Sequence, residues 1–421
     1  MPNRRNAIYT LIILSFAAGY LTGRAFFFNL TYLFAALLFV TWMWSLSGVS
    51  NVRINRTTRA RRTQVGKTLD EYFTVRSGSF LPKLWLEVRD HSNLPGHRAS
   101  AIVPTLMPRS TFRWTVQTTC TLRGEFTMGP MTLVSGDPFG FFQSVRHIPA
   151  TSSILVYPAI FPLRDFALPS GVLSGGEAQR QRAPFVTTNA SGVREYFPGD
   201  SFNRIHWRST ARRDRLMVKE FELDPLADIW LMLDLSATTR FAHSLNADLD
   251  VNQYYLPPDS GEYAIAAAAS IAAYFLGKDR AFGFATYNPH RTVFSPERGS
   301  RQLTRILEAL ALARIEAEIS FSQLVAYEGH HLGRGTTAIL ISADPTDAWI
   351  GEAQLIIRRG VRVIAVLPDP HSFGSSTVRG VNETQALLES FGAITYIIKQ
   401  GDNLSTALSG SGSRLFTRPV W

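Results

Sequence analysis

A chain of 421 residues, 45% of them hydrophobic, is long enough for two or three domains with cores of their own. Its single cysteine, Cys120, excludes an intrachain disulfide framework. The formal net charge of +10 raises the question of nucleic acid. Much of the arginine excess, however, gathers beside two apolar stretches near the N-terminus, which weighs against nucleic acid and toward a membrane surface.

Those stretches come first in the chain. Residues 6 to 23 (NAIYTLIILSFAAGYLTG) and 25 to 47 (AFFFNLTYLFAALLFVTWMWSLS) carry no charge, and each approaches the roughly 20 residues that span a bilayer core. Trp42 and Trp44 sit near one end of the second, as interfacial anchors do. A cleaved signal peptide with Arg4 and Arg5 as its n-region competes for the first stretch. The lack of an A-x-A-like site, and the second apolar stretch directly after it, favour a two-helix transmembrane hairpin over residues 1–50. Arg4 and Arg5 precede the hairpin, Arg53, Arg56, Arg59, Arg61 and Arg62 follow it, and only Arg24 lies in the turn. This asymmetry predicts a multi-pass protein of the inner or plasma membrane with both termini and the soluble domains in the cytoplasm. The same arginines suit anionic headgroups, so membrane lipids are expected partners.

Residues 51–160 alternate in short runs. TLDEYFTVRS (68 to 77), KLWLEVRD (83 to 90), FRWTVQTTC (112 to 120) and SSILVYP (152 to 158) read as strands, with SNLPG and the MGP at 128 to 130 as turns. A small β-sandwich is expected. Asp137-Pro138-Phe139-Gly140 reads as an Asx-type turn with its aromatic folded back onto the core. Residues 161–191, which include SGGEAQRQRAP, have little periodicity and read as a loop or linker.

Residues 192–227 hold the densest charge in the chain. GVREYFPGDSFNRIHWRSTARRDRLMVKEFE sets Arg194, Glu195, Asp200, Arg204, His206 and Arg208 among Tyr196, Trp207 and Phe221. Pro198-Gly199 marks a turn, Asp200 is placed to cap a short helix through Trp207 and Ala211, and Leu216 to Phe221 reads as a strand. A structural knot of ion pairs at a domain junction and a recognition surface are both open for this segment.

From residue 228 to the end, strands and helices alternate. IWLMLDLS (229 to 236) is a strand buried on both faces, EYAIAAAASIAAYFLGK (262 to 278) a helix, AFGFATYN a strand and SRQLTRILEALALAR (300 to 314) an amphipathic helix. TTAILISAD, AQLIIRRG, VRVIAVLPD, QALLESFG and AITYIIK continue the series. The expectation is a doubly wound α/β domain on a parallel sheet, with ligands at the carboxyl ends of its strands. At the end of the first strand, Asp234, Ser236 and Thr238 offer one carboxylate and two hydroxyls, hard oxygens of the kind that hold Mg²⁺. Capping of loop amides by Asp234 and Ser236 is the alternative. Enzyme signatures are scarce: there is no Walker-type loop, dinucleotide fingerprint, H-E-x-x-H or G-x-S-x-G. His330 and His331 are adjacent without a spaced ligand set, and Cys120 reads as a buried inert thiol.

Three stretches carry a family resemblance. R-E-Y-x-P-G-D, then R-I-H-W-R-x-T-A-R, then L-M-V-K-E-F-E resemble the signature of the bacterial "domain of unknown function 58" family, and RGEFTMGP with D-P-F-G resembles its upstream part. The resemblance implies a membrane-anchored protein with a von Willebrand factor A-like domain, working with a MoxR-type AAA+ ATPase. Asp234-Leu235-Ser236-Ala237-Thr238 is similar to the D-x-S-x-S metal motif of that fold, with Thr238 in the last serine position. Its remaining ligands are less well matched: Ser300 falls near the expected threonine, and the expected aspartate falls nearer Ala343 than Asp344. The expected protein is a non-enzymatic interaction module or adaptor in the assembly or maturation of envelope or secreted complexes. Its rivals are a hydrolase built on residues 194–222 and a binder of anionic lipid or nucleic acid.

Overall fold

Two charge-free runs become the first helices, α1 (Pro2–Thr22) and α2 (Ala25–Gly48), which pack on each other and share a Ser15–Thr31 hydroxyl contact of 2.8 Å. The computed structural model describes residues 2–166, 190–196, 205–221, 228–242, 256–375 and 378–409. Among these, only α2 is long and apolar enough to cross a membrane. α1 opens on Arg4 and Arg5 and carries Asn6, Tyr9, Thr10 and Ser15 among its apolar positions, so the two expected spans reduce to one candidate. The chain divides into two units, one of Met1–Ala159, Asp250–Pro257 and Leu307–Ala313, the other of Ile160–Leu249, Pro258–Ile306 and Arg314–Trp421.

After α2 the first unit is built of strands. They are β1 (Val52–Thr58), β2 (Arg62–Gln64), β3 (Thr68–Ser77), β4 (Lys83–Asp90), β5 (Ala101–Leu106), β6 (Thr111–Thr119), β7 (Gly124–Met128), β8 (Met131–Gly136), β9 (Gln143–Ile148) and β10 (Ser152–Tyr157). β1-β3-β6 and β5-β4-β8-β9 form two antiparallel sheets, and β2-β10-β7 a third. Alternation decides which face is buried: in β3, Leu69, Phe73 and Val75 point inward. With Val52 from the neighbouring strand β1 and Leu86, Val88, Val103 and Leu133 from the other sheet, Phe73 and Val75 make one core, and each such residue contributes roughly 1.5–3 kcal/mol of burial. The last turn of α2 is seated on this region. Lys83, fully buried, donates through Nζ to the Ser47 carbonyl, which lies at the negative end of the helix dipole. A Cβ at Gly48 would lie 2.7 Å from Ser144 Oγ and 3.2 Å from Ser135 Cβ, so a larger residue would displace these serines.

Glu71 breaks the apolar pattern of β3, and its inward carboxylate organises a polar cluster. Arg56 donates to it through Nε (2.8 Å) and Nη2 (2.9 Å), and to Asp90 through Nη1 (3.1 Å). His97 Nε2 stands 3.2 Å from both carboxylates, and its Nδ1 is 2.8 Å from Thr118 Oγ1. All four side chains are buried. Burial alone would raise the Asp90 pKa. Hydrogen bonds from His97 and Ser92, with the Arg56 charge, together hold it below the ordinary carboxylate range.

The second unit begins with a small antiparallel pair, β11 (Ala190–Glu195) and β12 (Met217–Phe221), with α3 (Trp207–Arg213) between them. Then come β13 (Ile229–Leu233), α4 (Ser260–Gly277), β14 (Phe282–Asn288), β15 (His290–Glu297), α5 (Ser300–Leu312, grouped with the first unit from Leu307 on), α6 (Phe321–Gly329), β16 (Thr337–Ile341), α7 (Ala348–Arg358), β17 (Arg362–Pro368), α8 (Val381–Ser390), β18 (Ile394–Ile398) and α9 (Leu404–Ala407). The sheet order is β15-β14-β13-β16-β17-β18, with β14, β13, β16, β17 and β18 parallel. The sheet is mixed rather than all-parallel. β15 follows β14 after a single residue, which leaves no length for a crossover, so it pairs antiparallel at the edge. Phe321 of α6, Trp349 of α7 and Leu388 of α8 pack against Met232, Leu340 and Ala365 on one face. The alanine-rich α4 takes part in the packing against β13, β14 and β17.

Candidate functional site

β13 lies at the centre of the sheet, and the chain leaves it first toward β14 on one side and later toward β16 on the other. Such a reversal of strand order opens a crevice beyond the carboxyl ends of the two strands, the position where open α/β sheets bind ligands. Asp234 is the first residue after β13. Its amide continues the ladder by donating to the Ile341 carbonyl (2.9 Å), which sets it beside Ser342, the first residue after β16.

The carboxyl group of Asp234 is buried and fully engaged. Oδ1 accepts from the Ser236 amide (2.9 Å) and Ser236 Oγ (2.5 Å), and Oδ2 accepts from Ser342 Oγ (2.5 Å). Thr239 Oγ1 lies 3.3 Å from Ser236 Oγ and donates to the Ser236 carbonyl (3.1 Å). On the neighbouring strand, Thr286 Oγ1 donates to the Leu233 carbonyl (2.8 Å). Burial pushes the Asp234 carboxyl above its ordinary pKa, and the hydrogen bonds from Ser236, Ser342 and Thr239 offset this only in part because their donors are neutral.

The other expected ligands are placed as follows. Thr238 is exposed on the short 3₁₀ turn Ala237–Thr239, and its neighbour Thr239 supplies the buried hydroxyl. Asp344 is buried in its own Asx-type turn: its amide donates to Ser342 Oγ (2.9 Å) and its Oδ1 accepts from the Thr346 amide (2.8 Å). Ser300 starts α5, whose Gln302 donates to the Phe282 carbonyl at the amino end of β14. Ser300 therefore belongs to the opposite edge of the sheet from Asp234. A cavity of ≈ 10 Å³, room for about one water, opens between Ser342, Asp344, Leu367 and Arg379. Among the described residues, no group of three or more His, Cys, Asp or Glu side chains comes together as a metal centre. The Asp234 carboxyl and the Ser236, Thr239 and Ser342 hydroxyls around it are hard oxygen donors. Ser342, Thr239 and Thr286 escape a reading by motif. The pairing of Leu233 with Ile341 is the signal for Ser342, since the residues following two paired strands are neighbours.

The charged signature segment divides between surface and interior. Asp200 and Arg204 lie outside the described residues, and Arg194 is a residue of β11. Glu195 is exposed and pairs with Arg215 (2.8 Å), and Tyr196 is half-buried with its amide bonded to the Leu216 carbonyl. The N-cap of α3 is His206 rather than Asp200. Its amide bonds to the Met217 carbonyl (2.7 Å), and its Nδ1 is 2.7 Å from Ser209 Oγ. Ile205, Met217 and Val218 are buried beneath this turn, while Trp207 and Arg208 are exposed. Elsewhere, burial raises the Cys120 thiol, in keeping with an inert residue.

Residues 192–371, which include both α3 and the Asp234 turn, match the model of the family described as "Protein of unknown function DUF58". That stretch is similar to DUF58 domains. A relative, "Uncharacterized protein YeaD" of Bacillus subtilis (strain 168), is 25% identical over 250 residues, 58% of this chain. The alignment spans 56% of that relative, so the chain covers about half its length. Among solved structures, the conserved hypothetical protein BatB from Bacteroides thetaiotaomicron is 12% identical, with a TM-score of 0.30 over 44% of this chain and 95% of that one. The CARDB domain of the PF1109 protein from Pyrococcus furiosus is 16% identical, with a TM-score of 0.20 over 25% of this chain and 86% of that one.

Proposed function

We propose that this protein is a membrane-anchored, non-enzymatic interaction module whose α/β domain is of the von Willebrand factor A type. The observation that carries the reading is the Asp-x-Ser turn at the strand-order switch. Asp234, Ser236 and Ser342 converge there on one buried carboxyl, at the edge where such sheets meet ligands. In this reading α2 is the membrane anchor and the regions after it face the cytoplasm, supported by the apolarity of α2 and by the arginines that follow it. The partner is a MoxR-type AAA+ ATPase, supported by the family resemblance alone, and the work is assembly or maturation of envelope or secreted complexes. The exposed Trp207 and Arg208 on α3 suit a docking surface, since such side chains dominate interface energetics.

The test is direct association. The detergent-solubilised full chain should retain a purified MoxR-type ATPase on an affinity resin, and Trp207→Ala with Arg208→Ala should lose it without unfolding. Retention unchanged in the double variant would remove α3 from the reading, and no retention of any such ATPase would remove the partner.

The raised pKa of Asp234 favours a companion proposal, that this carboxyl receives Mg²⁺. A divalent ion would supply the positive charge that its neutral hydrogen-bond donors lack, with Ser236 and Thr239 oxygens alongside. At ten times the Kd, Mg²⁺ should stabilise the fold by about 1.4 kcal/mol through mass action. Asp234→Ala should abolish that rise, and an unmutated chain with no shift at millimolar Mg²⁺ or Mn²⁺ would leave only the capping role.

A further inference from the structure

We propose that the end of the β region beside α2 seats in the headgroup boundary of the bilayer, giving the first unit a second membrane contact built from separate loops. This rests on reading α2 as a membrane span. Hydrogen bonds bring the parts of that end together. The Gly78 amide donates to the Asn51 carbonyl (2.8 Å), the Ser77 amide to the Ser110 carbonyl (3.0 Å) and Ser135 Oγ to the Leu84 carbonyl (3.1 Å). Lys83 holds the Ser47 carbonyl at the end of α2, and a Cβ on Gly140 would come within 3.2 Å of Arg4 Nη1 at the start of α1. The loops at 78–82, 107–110 and 137–142 therefore share one end of the β region with the helix termini.

These loops expose large apolar side chains. Phe80 is 78% exposed, Met107 60% and Phe139 52%. Single exposed apolar residues are ordinary, but a group on adjoining loops marks an interaction surface. The Asx-type turn at Asp137 forms as the sequence predicts, with the carboxylate accepting from the amides of Phe139, Phe141 and Phe142. Its aromatic, however, turns outward: Phe139 stacks on Phe141 (5.8 Å) rather than folding onto the core. Trp85 adds strain to exposure. Its φ of 52° is a left-handed conformation unfavourable for a bulky residue, and its indole is 66% exposed. Strain of this kind persists where the surroundings require it and is a pointer to function.

The occupant follows from continuity and charge. The exposed apolar surface of α2 runs through Trp42, Met43 and Leu46, one residue short of the carbonyl that Lys83 holds, and so leads directly onto this end. Arg109 lies over the Phe80 ring (4.8 Å), and the exposed Arg4 stands beside the Phe139 loop. Aromatic rings with neighbouring arginines suit the boundary between acyl chains and anionic headgroups.

The experiment uses the full chain with Cys120→Ala, labelled with an environment-sensitive fluorophore at Phe80→Cys, Met107→Cys or Phe139→Cys. Leu33→Cys in α2 and Leu122→Cys, beyond the far end of β6, serve as references. The chain is reconstituted in phosphatidylcholine–phosphatidylglycerol vesicles with acyl chains brominated near the headgroup. The expected result is a blue shift, bromolipid quenching and loss of iodide quenching at 80, 107 and 139, with none of these at 122. If these three behave like 122 while Leu33→Cys is quenched by lipid, the second contact is overturned and the anchor stands. Shielding from both lipid and iodide would place a second copy of the chain on this end and also overturn it. If Leu33→Cys escapes lipid quenching, the anchor falls and the second contact with it.

Discussion

Two buried carboxyl groups in this molecule meet opposite fates. Asp90 in the β region faces Arg56 and His97 and is held below the ordinary carboxylate range. Asp234 in the α/β region faces hydroxyls and an amide and is pushed above it. Both side chains are removed from water, but Asp234 is the more deeply embedded, so burial weighs more on it. The fold also sets hydrogen bonds from His97 and Ser92 and the Arg56 charge against Asp90, whereas the donors to Asp234 are neutral. A buried charge completed by the fold belongs to the architecture, and removing one partner leaves the other stranded. A buried carboxyl satisfied only by neutral donors keeps a demand for positive charge, which a proton or a metal ion can meet. This contrast sets the α/β edge, rather than the denser charge cluster of the β region, as the candidate ligand site.

The largest expected effect lies in the cluster that the fold completes. Glu71→Ala leaves Arg56 buried without its bidentate partner and should cost about 3–5 kcal/mol, measured by denaturant unfolding of the detergent-solubilised chain. A loss under about 1 kcal/mol would mean that water reaches the cluster and would dissolve the comparison. Acid sharpens the same point. Because the pKa of Asp90 is lowered, the folded state releases its proton more readily than the unfolded chain. Its contribution is present above the ordinary aspartate value and disappears as pH falls below it. Asp90→Asn should remove that acid-side slope.

A smaller effect, of opposite sign in pH, is expected at Asp234. Its pKa is raised, so the folded state keeps a proton that the unfolded chain has released. Stability is full below the ordinary aspartate value and is lost as pH rises through the raised one. In the absence of metal, Asp234→Asn should therefore unfold later than the unmutated chain at pH 8 and show no gain at pH 3. Asp234→Ala should instead cost about 1–3 kcal/mol, because it strands the Ser236 and Ser342 hydroxyls. A lower unfolding midpoint for Asp234→Asn at pH 8 would show that the fold prefers the charged carboxylate.

The contrast was only partly legible in the sequence. β3 and β4 were readable with their ends, because alternation over residues 68–77 and 83–90 is regular and turns bound both runs. The helix–strand alternation after Asp228 was readable for the same reason, as was the position of Asp234 at a strand end. Periodicity also turns Glu71 inward, but no local pattern names its partners. Arg56, Asp90 and His97 come from separate segments that only sheet pairing unites. Ser342 was hidden in the same way, since a motif read along one strand does not carry the register of the next. β11 begins at Ala190, inside a stretch that composition assigns to a linker, and it becomes a strand by pairing with β12. The outward turn of Phe139 depends on what surrounds the turn, which spacing does not encode.

The smallest effects on stability are expected where charge is densest in sequence yet exposed in structure. Glu195 and Arg215 form an ion pair with both side chains mostly exposed, so Glu195→Ala should cost no more than about 1 kcal/mol and less at high salt. Trp207→Ala and Arg208→Ala remove exposed side chains of α3 and should change stability by less than about 0.5 kcal/mol. Their effect on binding should be far larger. An interface anchor of either type contributes about 2 kcal/mol or more, roughly a thirtyfold loss of affinity. Unfolding and partner affinity measured on the same two variants decide whether this charge serves the fold or faces outward. A shared loss in both would show that α3 is braced by these residues and would move the segment to the side of Glu71. Unchanged stability with lost affinity would place the segment with Asp234, among groups whose complement comes from outside the chain.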